Sequence, residues 1–156
     1  MKIFDCFMFC DEEMLLDIRL NTLDKFVDKF IIVESKFTHS GKERNLVFDI
    51  KKFQKFKDKI NYLVIENLPE NIETINSYDD ERTKEVKIIL NACKRENDHR
   101  NRILDLLGSA EPDDQVIISD VDEIPNLEKV NFNSIRNKII LFNQKMFYYK
   151  FNLILE

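Results

Sequence analysis

The sequence predicts an α/β fold, a sheet with helices on both of its faces, and three observations predict it. Short runs rich in β-branched and aromatic residues alternate with longer segments whose apolar residues recur at three- and four-residue spacing. The resulting order, strand-helix-strand-helix-strand-helix-strand, is the pattern of an α/β sheet. Finally, the apolar run Val116-Ile117-Ile118 breaks off into Ser119-Asp120-Val121-Asp122-Glu123-Ile124-Pro125. Pro125 stops any ladder, and acids just past a strand lie where such sheets bind ligands, beyond the carboxyl ends.

Taken in order, Lys2 to Phe9 reads as the first buried strand, with Asp5 embedded in it. Asp11 is placed to cap a helix, and Glu12 and Glu13 suit its positive N-terminal end. Leu16, Leu20, Leu23 and Val27 form that helix's buried stripe, with Arg19 beside it. Phe30 to Val33 is the second strand and ends at Glu34. The loop Ser35-Lys36-Phe37-Thr38-His39-Ser40-Gly41-Lys42 turns at Gly41 and is locally basic through His39, Lys42 and Arg44. A lone loop histidine such as His39 is more often a surface residue than a catalytic one. Ile50, Phe53, Phe56 and Ile60 are spaced for a second helix whose lysines face solvent, and Asn61 to Ile65 is the third strand.

Residues 66 to 81 are polar and irregular and predict a mobile loop. A long helix is expected from Arg82 to Leu107, closed by Gly108. Its stripe of Val86, Leu90, Cys93, Asn97, Arg100, Leu104 and Leu107 turns Asn97 and Arg100 inward, and buried polar groups need partners. Arg100 therefore either makes an ordinary ion pair or faces a metal and phosphates at the end of the next strand. Glu111-Pro112-Asp113-Asp114 is a turn, in which aspartate serves local hydrogen bonding. Lys138 to Phe142 and Met146 to Phe151 read as two further strands, a hairpin about Asn143-Gln144.

Composition bounds the function. At 156 residues and 44% hydrophobic, the chain reads as one globular domain over 1–156. A net charge of -5 argues against nucleic acid, which attracts basic surfaces. Only two glycines occur, so no Gly-rich loop can cradle phosphate, and metal and basic side chains would have to hold it. Cys6, Cys10 and Cys93 cannot all pair with one another, and reduced thiols suit a cytoplasmic protein. No apolar stretch approaches the ~20 residues of a membrane span.

Asp120 and Asp122 lie two apart, so near a strand end both can point to one side. Like charges this close repel unless a cation compensates, and an all-oxygen donor set suits Mg2+ or Mn2+ sharing its shell with water and substrate phosphate. The plainer alternative is an acidic turn.

Beyond these patterns, the chain resembles glycosyltransferase family 17. The resemblance is carried over essentially the whole length by Met1-Lys2-Ile3-Phe4-Asp5-Cys6-Phe7-Met8-Phe9, Arg19-Leu20-Asn21, Val33-Glu34, Thr38-His39-Ser40-Gly41-Lys42, Arg95-Glu96-Asn97 with Arg100-Asn101, and the Ser119 to Pro125 block. It implies a GT-A fold, a Rossmann-like nucleotide-sugar-binding sheet whose Asp-x-Asp motif holds Mn2+ or Mg2+ against a diphosphate. By that resemblance Asp120 and Asp122 are the metal ligands, and Glu34, Asn97 and Arg100 lie with them around the nucleotide. The best-known members make bisecting N-acetylglucosamine, which implies a UDP-sugar donor and a glycan acceptor. His99 stands where a glutamine-like residue is expected before the arginine. Family members usually continue beyond the point where this chain stops, at Glu156, so a sheet truncated at its C-terminus is one expected form.

The expected activity is metal-dependent, inverting transfer of N-acetylglucosamine. Of the catalytic residues Asp120, Asp122 and Glu123, the last is the only local candidate for the base, or else supports the metal. Two rivals stand beside it. One is a truncated nucleotide-sugar-binding or assembly domain, for which uncovered apolar residues around Phe147, Tyr148 and Phe151 predict self-association. The other is a haloacid-dehalogenase-like phosphatase, disfavoured because its motif usually opens the chain and continues with Gly or Thr.

Overall fold

The computed structural model describes residues 1–135 and 137–147. The chain divides into two compact units, Met1–Asp122 and Glu123–Glu156. The first is an α/β unit with a Rossmann-like sheet. Four strands, β1 (Ile3–Phe9), β2 (Lys29–Ser35), β3 (Ile60–Ile65) and β4 (Gln115–Ile118), lie in the order β3-β2-β1-β4. Every neighbouring pair is parallel, with Phe4 opposite Lys29 and Val116, and Phe30 opposite Ile60. All four carboxyl ends therefore open on one rim, and the chain order reverses between β1 and β4.

β1 and β2 are where the sequence puts them because apolar, β-branched runs bury on both faces of a parallel sheet. The run expected as a buried strand at β4 instead buries only Ile117 and leaves Val116 and Ile118 exposed at the sheet edge. Alternation along β1 sends Phe4 and Cys6 to one face, where they meet Ile31, Val33, Ile65 and Ile103. Burial pushes the Cys6 thiol up to about 12, and the neighbouring Asp5 adds to the effect. Asp5 and Phe7 face the other side, toward helix α1 (Glu13–Leu23). There Leu16, Leu20, Leu23 and Val27 are buried as expected. Asp11 is not the cap: Glu12 takes that position, and its Oε2 accepts from the backbone N–H of Cys10 and Asp11.

The segment expected as a helix over 50–60 is instead a 3-10 run, Ile50–Phe56, broken at Phe53. Side chains three apart eclipse in that geometry. Phe53 and Phe56 thus go into the core together, with Phe53 stacked on Phe48 and Phe56 edge-on to Phe30.

Helix α2 (Glu81–Asn101) is capped by Asp80, whose carboxylate accepts from Thr83 N–H at 2.7 Å. It ends earlier than expected and tightens into a 3-10 turn, Arg102–Leu106, so Gly108 is not its cap. Its buried side is also not the expected one. Val86, Leu90, Cys93 and Asn97 are exposed, and Asn91 is the buried residue. Asn91 exchanges two hydrogen bonds of 2.8 Å with the backbone of Glu73, and Lys87 and Lys94 donate to the carbonyls of Thr74 and Asn71. The irregular 66–81 segment is thereby laced to the helix by polar side chains.

In the second unit, 3-10 turns form at Leu127–Lys129 and Phe132–Ser134. Lys138 to Phe142 is not a strand, because β propensity makes no ladder without a partner. Of Met146 to Phe151, residues 148–151, including Tyr148 and Phe151, lie outside the described residues.

Candidate active site

The rim formed by the strand ends holds a cleft of about 290 Å³. One side is acidic: Asp120 and Asp122 line it from the loop after β4, beside the point where the strand order reverses. The loop after β2 and helix α2 contribute groups of both signs: His39, Arg44, Arg95 and His99, together with Glu96 and Asp98. Cleft volumes of roughly 300–1,000 Å³ are usual for small-molecule sites. This one lies at the lower edge of that range.

Arg100 reaches the acidic side. Its Nη2 donates to Asp120 Oδ1 at 3.2 Å and its Nη1 pairs with Glu96. Arg100 is not buried as its stripe position led one to expect: its side chain is 41% exposed, and what it makes is ion pairs with Glu96 and Asp120. Asn97, on the same helix, is exposed and does not line the cleft, because the buried side of α2 runs through Asn91 and His99 instead.

Glu34 lies behind the cleft and is wholly buried. Its carboxylate accepts from the N–H groups of Val47 and Phe48 and from Tyr62 Oη at 2.7 Å, and pairs with Arg44 at 3.1 Å. Burial, and then that hydrogen bond to Glu34, raise the Tyr62 phenol well above its ordinary value. Glu34 therefore holds Arg44, whose other donors go to the carbonyls of Ser35 and Cys10 and tie the ends of β1 and β2 together. Burial raises the Cys10 thiol, and Arg44 partly opposes the rise.

His39 enters the cleft from a turn built by Gly41, whose φ of +83° a side chain rarely adopts. Gly41 N–H donates to the Thr38 carbonyl, and Arg95 Nε donates to the His39 carbonyl at 2.7 Å. A Cβ at position 41 would also press on the Arg95 guanidinium, 3.0 Å from Nη1, which would have to give by a few tenths of an ångström. His99 Nε2 lies 2.9 Å from the Val33 carbonyl, which can only accept, so Nε2 carries the proton. Burial lowers the His99 pKa against that hydrogen bond, which favours the neutral ring.

Sequence reasoning named Asp120, Asp122, Arg100 and Glu34 but passed over the group that holds the acidic loop. Arg19 and Asp5 are both wholly buried, and Arg19 donates to the carbonyls of Asp120 and Val121. The available signal was a charged residue at a stripe position of α1, opposite a charged residue inside a strand. Glu123 opens the second unit and is exposed.

Among the described residues no group of three or more His, Cys, Asp or Glu could close around a metal. Asp120 and Asp122 fit an ion that takes most of its ligands from water and phosphate, as Mg2+ does. No helix among the described residues is long and apolar enough to cross a membrane. In comparisons with known proteins, the sequence model of glycosyltransferase family 17 matches residues 1–156. No curated protein and no solved structure matches the chain.

Proposed function

Because this chain belongs to glycosyltransferase family 17, we propose that its cleft binds the diphosphate of a UDP-sugar through Mn2+ or Mg2+ held by Asp120 and Asp122. The chain is a glycosyltransferase by family and so works on a donor and an acceptor. In our reading the donor is UDP-N-acetylglucosamine, the acceptor a glycan hydroxyl, and the transfer inverting. The observation that carries the reading is the joint opening of Asp120 and Asp122 on a cleft at the carboxyl rim of a parallel sheet, which Arg44 and Arg95 also line.

The metal supplies neutralisation of the charge that builds on the leaving diphosphate. The chain's own residues do the rest. Asp120 and Asp122 place that charge on the β4 side of the cleft. Arg100 adds a second cation beside Asp120, in a position to donate to a phosphate oxygen. Arg95 and the neutral His99 line the opposite wall, while Arg44, braced by Glu34, keeps the β1 and β2 ends from parting. An inverting displacement also needs a base for the acceptor hydroxyl.

Calorimetry with UDP and Mn2+ tests the reading. UDP should bind with Mn2+ present, and both EDTA and Asp122→Ala should abolish that binding. Equal affinity in EDTA would sink it.

A further inference from the structure

Arg19 occupies a stripe position of α1 that apolar side chains fill on either side, yet it is wholly buried and charged. Its Nε donates to Asp5 Oδ2 at 2.8 Å and its Nη2 to Asp5 Oδ1 at 2.7 Å, a two-pronged pair with a carboxylate that is itself wholly buried. The guanidinium lies over the Phe7 ring, 4.6 Å from its centroid. Three further bonds run to the loop after β4. Nη2 donates to Ser119 Oγ at 2.7 Å, and Nη1 to the carbonyls of Asp120 at 2.7 Å and Val121 at 3.3 Å.

Stability alone does not account for this group. Apolar residues of similar volume commonly replace a buried ion pair with no loss. What a planar fork provides is fixed geometry: Asp5 sets the guanidinium, and the guanidinium sets three successive residues, 119 to 121. The cleft-lining carboxylates of Asp120 and Asp122 project from that same stretch. We propose that Arg19, oriented by Asp5, is a positioning residue for the two aspartates, holding the backbone so that both present oxygens to one cation. The proposal rests on the reading of Asp120 and Asp122 as the metal–diphosphate site. Lysine could not replace Arg19, because an ammonium has no fork to span a carboxylate and two carbonyls.

The test is made on the full chain with Arg19→Lys and Ser119→Ala. Three quantities are read: the melting temperature, UDP affinity with and without Mn2+, and free Mn2+ by electron paramagnetic resonance. The gain in UDP affinity on adding Mn2+ should fall about tenfold in Arg19→Lys and less in Ser119→Ala, as outer partners of metal ligands generally behave. Affinity for UDP alone should change little in either variant. Ser119→Ala removes the bond from Arg19 Nη2 and keeps the ion pair with Asp5, so it decides the matter even where Arg19→Lys fails to fold. A lower melting temperature with an unchanged Mn2+-dependent gain in the folded protein would overturn the proposal and leave the site reading intact. No Mn2+-dependent binding by the wild type would overturn both.

Discussion

The guanidinium of Arg100 lies 3.2 Å from Asp120 while Glu96, one helical turn earlier, takes its other nitrogen. Both ends of the Arg100–Asp120 pair are well exposed, at 41% and 48% of the side chain, so solvent screens it and it adds little to folding. Its significance is local charge in the cleft. Arg100→Leu should fold normally and lose UDP affinity in the presence of Mn2+ by about 1.5–3 kcal/mol, the scale of one charge-assisted hydrogen bond. Calorimetry with a thermal melt checks it. A destabilised variant with unchanged affinity would make the pair structural.

His99 predicts a pH dependence. Burial lowers its folded-state pKa from the ordinary 6.5, so the unfolded chain takes up a proton more readily. A depressed folded pKa contributes stability that is present above the unfolded value and lost as pH falls through the folded one. Urea midpoints should therefore decline from about pH 7 to about pH 5. His99→Gln keeps a donor for the Val33 carbonyl and has no proton to gain, so its midpoint should decline less steeply. Parallel slopes would rule out His99 as the titrating group.

Asn91 closes both backbone groups of Glu73. Asn91→Ala leaves them to find water and should destabilise the chain by about 1–2 kcal/mol. It should also speed proteolysis between residues 66 and 80 more than elsewhere. Cleavage mapped by mass spectrometry under native conditions distinguishes this local release from global unfolding, which would expose sites throughout.

The strands, the α1 stripe and the Asp120-Val121-Asp122 motif were legible because each follows from apolar periodicity, or from its abrupt end. The orientation of α2 was not. Its apolar residues Val86 and Leu90 face outward, while Asn91 and His99 serve backbone groups of Glu73 and Val33. Periodicity finds faces that bury hydrocarbon and is blind to a face whose task is to pair backbone polar groups. Glu34 failed differently. An acid after a strand was readable, but its partners Val47, Phe48 and Tyr62 come from segments that only the tertiary fold brings near. The 3-10 run over Ile50–Phe56 shares an i, i+3 pattern with an α-helix, and the break at Phe53 leaves no mark in the sequence.

β4 joins the sheet only by pairing with β1, and the two meet across 112 residues, as the bond from Lys2 N–H to Asp114 shows. Closing a loop of that length costs about 4 kcal/mol in chain entropy. β1, β2 and β3 can associate as soon as residue 65 is available, with no part of the acidic loop in place. The aspartates acquire their positions only when β4, the last of the described strands, docks on β1, so the site should form late in folding. A ligand bound there stabilises that late pairing above any other by mass action. Refolding followed by nucleotide binding should therefore lag behind refolding followed by burial of the β1–β3 core.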